Sequence, residues 1–162
     1  MMRQLVKRLR RYLLLDVSTQ YDLLTASGRY CVQYHKDVLR NIRRAVAWAR
    51  LNKVCVVSTC EVYPGNNGYS GGYCVDGTSG QKKVHYTLLS NRVVYPADGA
   101  TNLPHDLLHK WRQVILHTRC KDPFEEPRIE RLLSEVVADE FIIIGAGFED
   151  AVAIAAILQS EI

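Results

Sequence analysis

Apolar residues in this chain follow two rhythms. Continuous runs, "YLLLD" (12–16), "KVCVVST" (53–59), "QVILHT" (113–118) and "EFIIIG" (140–145), have the length of buried strands. Between them, apolar residues recur every three or four positions. In "KDVLRNIRRAVAWARL" (36–51), Val38, Leu39, Ile42, Ala45, Val46 and Ala49 share one face and the arginines lie mostly off it, which predicts an amphipathic helix. "EPRIERLLSEVVA" (126–138) is read as a second helix, with Pro127 suited to its first turn, and 149–159 as a third. Residues 63–80 are rich in glycine, lack any apolar period and read as a loop. Strands alternating with helices predict βαβ units and a largely parallel sheet covered on both faces.

Such sheets bind ligands beyond the carboxyl ends of their strands. The residues to weigh are therefore Asp16 with 17–21, Thr59 to Pro64, Thr118 to Asp122, and Gly145 to Ala151. The last group is the turn in "FIIIGAGFEDAVAIAAI" (141–157), a strand, a glycine turn and a helix. This turn aims a helix N-terminus above the sheet but carries no nucleophilic side chain.

Composition narrows the picture. The 162 residues suffice for one domain, read as a basic arm over 1–11 followed by a single domain over 12–162. A net charge of +4 is too small to imply a nucleic-acid partner by itself. No apolar run reaches the ~18 residues of a membrane span. Five cysteines, an odd number without a C-x-x-C pair, and no visible secretory signal predict a reduced, cytoplasmic protein. His105 and His109 stand four apart on an expected helix, "PHDLLHKW", without a third ligand. Cys60 and Cys120 follow strand ends. Lys121 and His117 are expected to lower the Cys120 thiol pKa, though a chance loop thiol is the better reading.

Five segments, in order, resemble the isochorismatase-like cysteine hydrolases, which include the nicotinamidases. "LLLDVSTQY" is similar to the strand ending in the family's catalytic Asp, and "VVSTCEVYPG" to its Thr-x-Asp-x-His-Pro stretch. "YCVDGTSGQ" resembles Cys-x-x-Gly-Thr-x-Gly. "LHTRCKDPFEEPRIERLL" resembles the stretch with the catalytic Lys before a Phe, and "IIIGAGFEDAV" the nucleophile turn. The resemblance implies a three-layer α/β/α Rossmann-like fold with a mainly parallel sheet. It also implies that the family's C-terminal strand and helix are missing, so that 140–144 lies at an open sheet edge. Either truncation or self-association through 140–159, giving a homo-oligomer, is the expectation.

Family chemistry uses a Cys at a helix N-terminus, an Asp as base and a Lys as a fixed cation. Carried over, the Asp falls on Asp16; the Lys, counted back from Phe124, falls on Thr118; and the Cys falls on Ala151. The Asp-x-His metal pair of some members falls on Glu61 and Tyr63, so neither a metal nor another cofactor is expected. The backbone N–H groups matching the oxyanion hole are those of Gly147 and Ala151, and the Ala146–Gly147 bond matches a non-proline cis peptide. The implied pocket is lined by Asp16, Gln20, Tyr21, Thr59, Thr118, Phe124 and the Gly147–Ala151 turn, under the 63–80 loop. The leading expectation is a catalytically silent relative that binds a small carbonyl- or carboxylate-containing ligand or serves assembly. The alternative is a hydrolase of amides or vinyl-ether esters with Asp16 as base. A basic-arm binder of RNA or anionic lipid ranks last.

Overall fold

The computed structural model describes residues 10–65 and 72–147. Five strands form one sheet: β1 (Tyr12–Val17), β2 (Cys55–Glu61), β3 (Arg92–Tyr95), β4 (Gln113–Thr118) and β5 (Glu140–Gly145). Their order is β3-β4-β2-β1-β5 and every pairing is parallel. Parallel neighbours need crossovers, which bury both faces of the central strands. Leu13, Leu14, Leu15 and Val17 of β1 are accordingly fully buried.

Side-chain alternation divides the core in two. On one face Leu14 and Val56 pack against Ile42, Val46 and Ala49 of α2 (His35–Leu51) and against Leu23 and Leu24 of the short α1 (Tyr21–Leu24). On the other, Leu13, Leu15, Val57, Val114 and Leu116 meet Leu107 of α3 (Leu107–Lys110) and Ile129 and Leu132 of α4 (Pro127–Ser134). The architecture is thus the expected three-layer α/β/α.

Some expectations shift. The helix read over 126–138 stops at Ser134, and Val137 beyond it is 68% exposed. His105 lies before the four-residue α3 and turns to Glu135, 3.2 Å away, and Arg131. The two histidines therefore do not share a helix face. β3 was not foreseen. It is a four-residue edge strand closed by Pro96, and only alternate residues are partly covered.

β5 pairs only with β1 among the described residues and is an edge of the sheet. Asp139 and Glu140 at its start are met by the chain just before β1. Arg11 donates its N–H to Asp139 Oδ2 (2.9 Å), and Arg10 bonds Glu140. The last two residues of the basic arm are thus engaged in the domain. The turn from Phe148 onward, Ala151 and the predicted helix over 149–159 lie outside the described residues. No described helix is long and apolar enough to cross a membrane.

Candidate functional site

β1 delivers Asp16 near its carboxyl end, on the face that carries Ser58 of β2 and Gln113 of β4. Asp16 is completely buried. Its Oδ1 accepts from Thr19 Oγ1 (2.7 Å), and its Oδ2 accepts from Ser58 Oγ (2.8 Å). Ser58 in turn accepts from Gln113 Nε2 (2.8 Å), which also donates to the Thr87 carbonyl, while Gln113 Oε1 accepts the Leu89 N–H (2.7 Å). The network spans three strands, and each link has a partner, as a buried polar chain requires.

The cation in this network is Lys83. Its Nζ lies 2.9 Å from Asp16 Oδ2, and both side chains are at most 2% exposed. The same ammonium donates to Thr19 Oγ1 (2.7 Å) and, at 3.4 Å, to the Thr59 carbonyl. Backbone pairing explains its position. Residues 80–84 run antiparallel beside 19–22, with Asp22 N bonded to Gly80 O, Tyr21 N to Lys82 O and Val84 N to Thr19 O. Gly80 permits the approach: a Cβ there would stand 2.0 Å from Asp22 Oδ2. Asp22 also accepts the N–H groups of Arg29 and Cys74, which ties the 73–81 segment to α1. Lys83 escaped the sequence reading because the matched segment was followed only to Gln81. The signal available was a second Lys, two residues past that point, just after the 63–80 loop expected to roof the pocket.

Thr118, at the family's Lys position, is buried and donates its hydroxyl to the Cys120 carbonyl (3.0 Å). It follows Leu116 on the sheet face opposite Asp16. The cation beside Asp16 therefore comes from a different segment.

Glu61 and Tyr63 are brought together, and Tyr73 joins them. Both phenols donate to Glu61 Oε2, at 2.9 and 3.0 Å, and the two rings meet edge to face. Burial and then the Glu61 charge push both phenol pKa values well up, so both remain protonated donors. A divalent cation wants carboxylate, imidazole or thiolate ligands. Here one carboxylate is already occupied by two neutral hydroxyls, and no group of three His, Cys, Asp or Glu is placed to share an ion among the described residues. The residues do not fit the metal of the resembling proteins.

The remaining expected site residues have definite places. Gln20 is fully buried, and its amide clamps the end of β2: Nε2 donates to the Glu61 and Gln81 carbonyls and Oε1 accepts the Glu61 N–H. Tyr21 is 40% exposed, at the mouth of a cavity against Lys82 and Lys83. Thr59 Oγ1 is buried with no hydrogen-bond partner. Phe124 packs, half-buried, against the core beneath α4. Gly147 takes φ +76°, a left-handed conformation natural to glycine, and the Ala146 N–H is used by the Val17 carbonyl (3.1 Å). No peptide bond among the described residues is cis, which corrects the expectation for Ala146–Gly147. The chain turns there through the glycine φ.

Two thiols also correct the reading. Burial, the largest influence, raises the Cys120 pKa to about 11 despite the Thr118 hydrogen bond, so Lys121 and His117 do not activate it. Cys60 is likewise raised to about 11 by burial, with Lys83 opposing. Both are protonated at neutral pH.

No protein-family model matches the sequence, and no curated protein does. Solved structures do match. A pyrazinamidase/nicotinamidase from Streptococcus mutans is similar with a TM-score of 0.69 at 16% identity, over 93% of this chain and 80% of that one. A pyrazinamidase from Pyrococcus horikoshii in complex with zinc gives 0.65 at 19% identity, over 93% and 79%. An isochorismatase from Pseudomonas putida gives 0.67 at 12% identity, over 93% of this chain and 64% of that one, so the chain spans less than two thirds of that enzyme. Asp16, Thr59 and Thr118 stand at the strand ends the resemblance implied, and the chain has the isochorismatase-like fold.

Proposed function

We propose that this chain is a non-hydrolytic protein built on the isochorismatase-like fold, and that it uses the strand-end rim to bind a small carbonyl- or carboxylate-containing molecule. One observation carries the reading. Both oxygens of Asp16 already accept hydrogen bonds, from Thr19, from Ser58 and from Lys83, and no water reaches the carboxylate. A general base must come within hydrogen-bond reach of the proton it takes. Asp16 instead holds the rim together. The methyl side chain of Ala151 at the nucleophile position and the hydroxyl of Thr118 at the lysine position agree with this.

The test is turnover by purified protein on nicotinamide, simple aliphatic amides and vinyl-ether esters, beside Asp16→Asn. No turnover by either is expected. Hydrolysis by the parent that vanishes in a folded Asp16→Asn protein overturns the proposal.

A second reading, hydrolysis with Asp16 as base and the Gly147–Ala151 turn as oxyanion hole, is favoured by Lys83. It supplies at 2.9 Å the ammonium that position 118 lacks. Under that reading Ala151→Cys restores the missing nucleophile to an intact Asp–Lys pair and raises turnover above the parent. An inert Ala151→Cys protein tells against it.

A further inference from the structure

The cavity beside Tyr21 and Lys83 lies on the face of the sheet that carries Asp16. Its volume is about 410 Å³, within the range of small-molecule sites. It forms because the 81–88 segment leaves the sheet surface over β3 and β4 uncovered beyond Lys83. Its floor is aliphatic: Leu88, Val94 and Ile115. Its polar lining is one-sided. Lys82, Arg92, His85, His117 and Lys83 are among its lining, and no carboxylate of the described residues joins them, Asp76 acting on His117 from outside the lining.

The cations differ in freedom. Lys83 is committed to Asp16. Arg92 is held by one N–H donated to the Leu89 carbonyl (2.7 Å), which fixes the guanidinium and leaves its other donors available. Lys82 is exposed and has no ion pair among the described residues. A cavity with cationic donors above a hydrocarbon floor matches one kind of guest, an anion with an apolar body. A bare anion gains nothing from Leu88, Val94 and Ile115. A neutral hydrocarbon leaves Lys82 and Arg92 unanswered.

We infer that this cavity binds a small aliphatic carboxylate, its head at Lys82 and Arg92 and its chain on Leu88, Val94 and Ile115. The inference rests on the binding function proposed above and deepens it, placing the carboxylate ligand beside Lys83 and Tyr21 of the same rim; it is read by binding, whereas the proposal above is read by turnover.

The test uses the full chain and hexanoate as probe, with hexanamide as its neutral counterpart and inorganic phosphate as the head alone. Binding is read from the ring signals of His85 and His117 by NMR. Hexanoate is expected to shift both saturably. Arg92→Gln and Lys82→Gln each weaken it about tenfold, the factor one charge-assisted hydrogen bond commands. Val94→Glu, at a position 45% exposed and so tolerant of substitution, places a carboxylate on the floor and abolishes binding. Hexanamide binding as tightly as hexanoate, phosphate matching hexanoate, or a Val94→Glu protein that binds normally would each overturn the inference. A spurious loss through unfolding is separated by the unchanged signals of His35, His105 and His109.

Discussion

Lys83→Met is the most informative single change. The substitution keeps the length of the side chain and removes the ammonium, and with it the 2.9 Å ion pair to Asp16 and the 2.7 Å bond to Thr19. Asp16 keeps the hydroxyls of Thr19 and Ser58 but loses its one ion-pair partner among the described residues while remaining fully buried. Removing one partner of a buried pair costs about 3–5 kcal/mol, because the other charge is left uncompensated. For a domain of this size that corresponds to a fall in Tm of roughly 6–20 °C. Asp16→Asn with Lys83→Met removes both charges, and the double variant is expected to recover about 2–4 kcal/mol of the summed single losses. Urea unfolding followed by Trp48 and Trp111 fluorescence measures all four corners of the cycle. Trp48 reports the domain directly, being packed edge-on against Tyr12 at 5.2 Å. A Lys83→Met protein within about 1 kcal/mol of the parent would mean that Asp16 is hydrated. A hydrated Asp16 is free to take a proton, and the non-hydrolytic function is then refuted.

Other outcomes are expected on the same grounds. Gly80→Ala drives a methyl into Asp22 Oδ2 and should cost about 2–4 kcal/mol, seen as a lower urea midpoint; an unchanged midpoint would show that Asp22 moves freely. Chelation by EDTA should leave Tm unaltered, and added zinc should not raise it, because Glu61 is occupied by two phenols; a zinc-dependent rise contradicts that assignment. Cys60, with its pKa raised from 9.0 to about 11, should react with iodoacetamide about a hundredfold more slowly at pH 8 than an unperturbed thiol, and faster as pH rises. The folded state holds that proton more tightly than the unfolded chain. The thiol's stabilising contribution is therefore complete below pH 9 and is lost as pH climbs through about 11, which pH-dependent unfolding will show.

Reading the sequence succeeded where burial is imposed from both sides. β1, β2, β4 and β5 were legible as apolar runs, and α2 as an amphipathic period, because central parallel strands and the helices that cover them leave little freedom in composition. β3 was not legible: Arg92 to Tyr95 is short, half-covered and at an edge, so its residues carry no strong pattern. The rim was legible for Asp16, which a strand end fixes. It was not for Lys83, whose place depends on a segment pairing with residues more than sixty positions earlier. Tyr73 was missed for a similar reason. Its partnership with Glu61 is made by a loop crossing, and no spacing within the sequence encodes it.

The order of strands also has a consequence for the chain as it is made. β1 is synthesised first and ends in the interior of the sheet, flanked by β2 and β5. Its second neighbour is Glu140–Gly145, the last strand of the five. Until that strand emerges from the ribosome, the nascent protein can assemble only β3-β4-β2-β1. In that intermediate the row of Leu13, Leu14 and Leu15 is itself an open edge, with unpaired N–H and C=O groups and no proline to guard it. A strand that is almost wholly buried in the finished domain thus waits for its second partner until the last of the five is made, and the nascent chain is most prone to pair with a neighbour during that interval.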